Sequence, residues 1–115
     1  MQTQQVSANT ADLVQSGNEN SATLTQNGSD NSATQNQDGN LNTQLSTQLG
    51  STNVYEVVQT GLENNMTLSQ IGVGLVAIAT QTGNFNLGTQ TQTGANHYAS
   101  LVQTGDKNSA TQIQN

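Results

Sequence analysis

The chain has 115 residues, of which 30% are hydrophobic and 7% charged, against about 45–50% and about 25% in ordinary globular domains. Its net charge of −6 sets seven acidic side chains against one base, Lys107, which excludes a phosphate-neutralising nucleic-acid surface. The absence of cysteine excludes disulfides and thiolate metal sites, and what remains (Gln, Asn, Thr, Ser and Gly, without proline) suits polar β-stacking better than disorder.

Residues 1–8 read as a lead-in. They show no basic segment followed by an apolar one, so no signal peptide is visible, and a mature form carrying an added Met1 is expected. From residue 9 to residue 115 the chain reads as one repeat domain. Gln recurs at every eleventh position: Gln4, Gln15, Gln26, Gln37, Gln48, Gln59, Gln70, Gln81, Gln92, Gln103 and Gln114. Gly follows two residues later, at Gly17, Gly28, Gly39, Gly50, Gly61, Gly72, Gly83, Gly94 and Gly105; Val6 alone breaks that column. Five residues after each Gln comes Asn: Asn9, Asn20, Asn31, Asn42, Asn53, Asn64, Asn86 and Asn108, with Leu75 and His97 as exceptions. Compositional drift can enrich glutamine, but it does not hold a register over a whole chain.

Each unit is Gln-x-Gly-x-x-Asn-x-Ala-x-x-x. Segments such as Ser16-Gly17-Asn18-Glu19 carry turn chemistry, because Gly tolerates positive φ without a steric penalty. The seven residues from Asn to the next Gln alternate with period two, as a strand requires. Asn20, Ala22, Leu24 and Gln26 share one face, and Ser21, Thr23 and Thr25 the other. Seven residues of strand and four of turn make one side of a flattened coil, and 22 residues make one rung. The expected fold is all-β: ten strands in a two-sheet parallel β-solenoid of five rungs, at about 9–26, 31–48, 53–70, 75–92 and 97–114.

Folding each rung about its turn fills the interior. Leu13 falls opposite Ala22, Leu101 opposite Ala110, Tyr55 opposite Leu68 and Val57 opposite Met66. Leu24 faces Ala11, while Ala77 and Ala79 line a slimmer fourth rung against Gln90 and Gly88. Large against small is what a thin core without voids requires. Gln and Asn flank these apolar centres. A buried amide without a hydrogen bond costs about 1–3 kcal/mol, so stacked copies are expected to bond to one another, rung upon rung.

The run Gln15-Ser-Gly17-Asn-Glu-Asn20-Ser-Ala22-Thr-Leu-Thr-Gln26 resembles the repeat of curlins, the subunits of bacterial curli fibres, and the likeness runs from Gln4 to Gln114. The resemblance implies a secreted amyloid subunit that polymerises on the cell surface and forms biofilm matrix. It also implies that the Gln and Asn columns are the stacking residues of assembly, and that secretion or nucleation accessory proteins are partners. Glycine stands here in almost every half-repeat, whereas the familiar curlin alternates Gly-bearing and Gly-free halves.

The pattern itself points to head-to-tail self-association. The repeat continues into the first and last strands, and Lys107 is the one basic residue near an edge. Five rungs at about 4.7–4.8 Å predict an advance of roughly 24 Å per subunit. The sheet that begins at Asn9–Gln15 turns Val14, Val54, Val58, Val76, Ile78, Tyr98 and Val102 outward, a face suited to lateral bundling. No enzyme is expected. The lone His97 stands in the Asn column, and no Ser-His-Asp arrangement, calcium nonapeptide or phosphate loop is present, so no catalytic residue, metal or cofactor is assigned. The stretch Val73 to Ala79 is too short to span a bilayer. Two rival readings share the architecture: an ice-binding solenoid using Thr23, Thr25, Thr43, Thr47, Thr67, Thr89, Thr91 and Thr111, and a non-polymerising surface adhesin.

Overall fold

Alternation decides the secondary structure. In Ser21–Ser29 the side chains of Ala22, Leu24 and Gln26 are buried, while Ser21, Thr23, Thr25 and Asn27 face outward. That period of two fits a pleated strand and no helix. The computed structural model describes residues 1–5 and 8–115, with the backbone alone at Gln4 and Gln5. Val6, where the glycine column breaks, and the side chain of Gln4, the first of the glutamine column, lie outside the described residues.

The described strands are β1 (Gln2–Gln5), β2 (Thr10–Ser16), β3 (Ser21–Ser29), β4 (Ser32–Asn40), β5 (Thr43–Ser51) and β6 (Val54–Leu62). They continue as β7 (Asn65–Val73), β8 (Val76–Asn84), β9 (Leu87–Ala95), β10 (Tyr98–Thr104) and β11 (Ser109–Gln114). Odd strands form one parallel sheet, β1-β3-β5-β7-β9-β11, and even strands the other, β2-β4-β6-β8-β10. Register advances by one 22-residue rung throughout, so that Gln48 lies against Gln70 and Gln59 against Gln81. This is the expected two-sheet β-solenoid. The Cα trace measures 35 × 26 × 12 Å. The smallest extent matches two sheets packed about 10 Å apart.

Three details depart from the expected scheme. Eleven strands are present rather than ten, because Gln2–Gln5 pairs with β3, with Met1 O accepting from Leu24 N at 2.9 Å. Next, β3 to β9 have nine residues rather than seven and are joined by two residues rather than four. Glycine pairs with glycine of the next rung, as Gly28 does with Gly50, so the ladder runs on through it. Asp38 therefore lies within β4, not in a turn.

Finally, the chain turns two residues past each Gly. Glu19, Asp30, Leu41, Thr52, Glu63, Phe85, Asn96 and Lys107 have φ between 53° and 58°. Only Asp30 and Asn96 among them are of types that take this left-handed conformation readily. Glycine supplies a different need. At Gly50, φ is +119° and an added Cβ would overlap the carbonyl oxygen of Gly72.

The interior is polar as much as apolar. Among the described residues, eleven hydrophobic side chains are buried beside seventeen polar ones. Leu24, Ala33, Tyr55, Val57, Met66, Leu68, Ala77 and Ala79 form one continuous cluster, and Leu75 and Ala99 are buried as well. Leu13, Leu101 and Ala110 are only half-buried, because they sit in end rungs covered on one side. A core this thin cannot rest on hydrophobic burial alone. Its amides must find partners.

Candidate assembly site

The last inward residue before each glycine of the column is glutamine, three residues before the end of each nine-residue strand. Gln37, Gln48, Gln59, Gln70, Gln81 and Gln92 are each fully buried, and each donates two hydrogen bonds through Nε2. One bond climbs the stack. In the even sheet Gln15 donates to Gln37, Gln37 to Gln59, Gln59 to Gln81 and Gln81 to Gln103, at 2.7–2.8 Å. In the odd sheet Gln26 donates to Gln48, Gln48 to Gln70, Gln70 to Gln92 and Gln92 to Gln114, at 2.8–3.0 Å. The other bond crosses between sheets, from Gln37 to Ser21 O at 3.1 Å and from Gln59 to Thr43 O at 3.0 Å. One amide thus zips the rungs and closes the edge of the core.

Asparagine does a different task from the one its column suggests. Copies bond side chain to side chain from Asn64 to Asn42 and from Asn86 to Asn64, at 3.1 and 3.0 Å. Elsewhere Asn works on backbone. Asn42 Oδ1 accepts from Asn64 N at 3.0 Å, while Asn42 Nδ2 donates to Gly61 O at 3.0 Å. Asn20, Asn31, Asn53, Asn64 and Asn86 make the same bond to Gly39, Gly50, Gly72, Gly83 and Gly105 at 2.8–3.0 Å. The shorter side chain cannot reach the core centre, but it reaches the groups that a corner leaves without a strand partner. Leu75 fills the column at one corner, where its backbone N still donates to Asn53 Oδ1 at 3.0 Å.

A second asparagine row went unnoticed in the sequence. Asn18 N donates to Asn40 Oδ1 at 2.9 Å, Leu62 N to Asn84 Oδ1 at 3.2 Å and Asn84 N to Asp106 Oδ1 at 2.9 Å. The residue after each glycine is too variable to form a visible column, and only the corner geometry shows its use.

Burial divides the ladder by height. Gln15 is exposed, and Asn20, Asn108 and Gln114 are half-buried, whereas Gln26, Asn31, Asn42, Asn53, Asn64 and Asn86 are buried; Gln103 is buried too. At the ends the bonding is incomplete in a directional way. Gln103 and Gln114 donate across the core, to Leu87 O at 3.0 Å and Tyr98 O at 2.9 Å, but have no glutamine above them. Gln15 donates upward to Gln37, and among the described residues it has no donor beneath it. One end of the stack offers donors and the other offers acceptors.

Four buried polar atoms without partners gather where the second rung meets the third: Gln35 Oε1, both amide atoms of Gln44 and the Tyr55 hydroxyl. Gln35 Nε2 does donate to Ser46 Oγ at 2.9 Å. Burial pushes the Tyr55 phenol well above its ordinary range. Ser46 lies near enough to oppose that rise, although no well-formed hydrogen bond joins the two. Among the described residues no surface cavity forms, and no three His, Asp or Glu side chains converge.

Residues 7–39 match the family model for the curlin associated repeat. That stretch of the chain carries a curlin associated repeat. This repeat and the solenoid fold together fit a curli-like structural subunit. The same Gln-x-Gly-x-x-Asn spacing carries on beyond the matched residues to Asn108 and Gln114. No curated protein matches the chain.

Proposed function

We propose that this curlin-repeat chain is the structural subunit of an extracellular, curli-like amyloid fibre that grows by head-to-tail addition of further copies. The supporting observation is the polarity of its unfinished ladders. Donors on Gln103 and Gln114 stand at one end and the acceptor of Gln15 at the other, each on a strand with a single neighbour. A copy added in the same direction supplies every missing bond; a copy added in reverse sets donor against donor. Such a heterologous contact does not close on itself, so it yields filaments. A biofilm or adhesive matrix on the cell surface is the role such a fibre serves, with secretion and nucleation proteins as accessory partners.

Incubation of the monomer at neutral pH tests the reading. Thioflavin-positive fibres with a reflection at about 4.7–4.8 Å are expected. A chain that stays monomeric at concentrations well above those used for fibre growth overturns it. Gln15→Ala should slow elongation several-fold, while costing the monomer only about 1 kcal/mol for the lost bond to Gln37 Oε1.

A further inference from the structure

Eleven strands cannot be shared equally between two sheets. The six-stranded sheet holds both β1 and β11 at its ends, so it overhangs the five-stranded sheet at the top and at the bottom. Both end surfaces are therefore stepped, and the step lies on the same sheet each time. If copies stack without rotation, overhang meets overhang. The incoming β1 and the resident β11 then contend for one slot, or, set one rung further apart, they leave the five-stranded sheet short of a strand.

A half-turn removes the conflict. Rotated by 180° about the stacking axis, the overhanging β1 of the incoming copy falls on β10, and its β2 falls on β11. Both sheets then continue with neither overlap nor gap. The two halves of each rung are interchangeable enough to allow this. Glycine and glutamine hold the same places in both sheets, and the glutamine ladders have nearly equal spacings of 2.7–2.8 and 2.8–3.0 Å. We infer that successive copies in the fibre are related by a half-turn about the stacking axis, with the incoming β1 on β10 and the incoming β2 on β11. In this register Gln15 stands over Gln114 and accepts from the second N–H of its Nε2, the first being given to Tyr98 O, while Ala11 covers Ala110 and Val14 lies over Ile113.

The inference rests on the stacking proposed above and adds its symmetry. Eleven strands at two per rung are five and a half rungs, so each copy advances the fibre by about 26 Å rather than about 24 Å. The outward valines and Ile78 of the five-stranded sheet then face opposite sides of the fibre in alternate copies.

Engineered cysteine pairs distinguish the registers, because the chain has no cysteine of its own. Val14, Val102 and Ile113 are 50%, 65% and 63% exposed, so thiols there face outward. Neighbouring parallel strands place paired Cα atoms about 4.8 Å apart, within disulfide range. Fibres of the Val14→Cys/Ile113→Cys double variant, oxidised after assembly and then dissolved in denaturant, should run as a ladder of covalent oligomers. Fibres of Val14→Cys/Val102→Cys should return to monomer. The reverse pattern, or fibres in which neither pair links, overturns the half-turn and leaves polymerisation standing. Helical reconstruction of unsubstituted fibres gives the same decision if a variant does not assemble. A half-turn with a rise of about 26 Å supports the inference, and an unrotated rise of about 24 Å defeats it. Absence of fibres from the unsubstituted chain sinks the polymer reading itself.

Discussion

Gln44 is the most exposed weakness among the buried side chains. Its column in the odd sheet runs Ala22, Gln44, Met66, Gly88, and both of its amide atoms are buried without partners. Desolvating such a group costs about 1–3 kcal/mol, and methionine has nearly its shape without its polarity. Gln44→Met should therefore raise the stability of the monomer by about 1–3 kcal/mol in denaturant unfolding; a lowered midpoint would mean that the amide has a partner after all. Tyr55 sits one rung away and links stability to pH. Burial, the larger effect, raises its folded pKa above the ordinary value of about 10, against a smaller opposing effect of Ser46. The stabilising contribution is complete below pH about 10 and falls as pH rises further, because the unfolded chain ionises first. Tyr55→Phe should abolish that alkaline decline while leaving stability at neutral pH little changed. Unfolding midpoints measured from neutral to alkaline pH give the comparison.

At the scale of the strand, glycine decides whether the ladder passes its corner. Gly50→Ala must fit a Cβ into the carbonyl oxygen of Gly72 at φ +119°, so β5 and β7 cannot keep their spacing there. A loss of more than about 3 kcal/mol is expected, enough to cost a marginally stable domain much of its fold. Gly105→Ala provides the control. Its Cβ meets nothing nearer than Asn108 Nδ2 at 3.7 Å, so only the cost of φ +101° remains. Parallel denaturation curves should show the first variant as much the weaker. Equal losses would mean that backbone conformation alone, and not the approach of the next rung, requires glycine.

Across the whole molecule the two outer faces differ. The five-stranded sheet carries Val54 at 42% exposure and Tyr98 at 59%, with Val58, Val76 and Ile78 half-buried between them. The opposite face sets Thr23, Thr67 and Thr89 beside exposed Leu45, Leu87 and Ile113, which interrupt any flat threonine array. If the apolar face joins filaments laterally, Val58→Thr with Ile78→Thr should thin the bundles seen by electron microscopy and spare single filaments. Bundles of unchanged width would exclude that face.

Periodicity by itself determined a great deal. The eleven-residue beat of Gln15 to Gln114 implied parallel strands in register, and the alternation around it placed Leu24, Val57 and Leu68 inward. These follow from local rules, since side-chain direction reverses at every strand residue and stacking repeats whatever it is given. The tertiary structure decided matters that depend on height and on corners. Gln15 and Gln59 occupy the same repeat position, yet one is exposed and the other buried, because only Gln59 has rungs on both sides. Asn42 Nδ2 turned to the Gly61 carbonyl rather than to a neighbouring asparagine because the corner leaves that oxygen within its reach. The turn fell at Leu41 and Thr52, residues with no preference for positive φ, since the continuous glycine ladder left no other place for the chain to reverse. The division into six strands and five was equally invisible in the repeat. It arose because Gln2–Gln5, with too little of the pattern to stand out, found an open edge on β3 and paired with it.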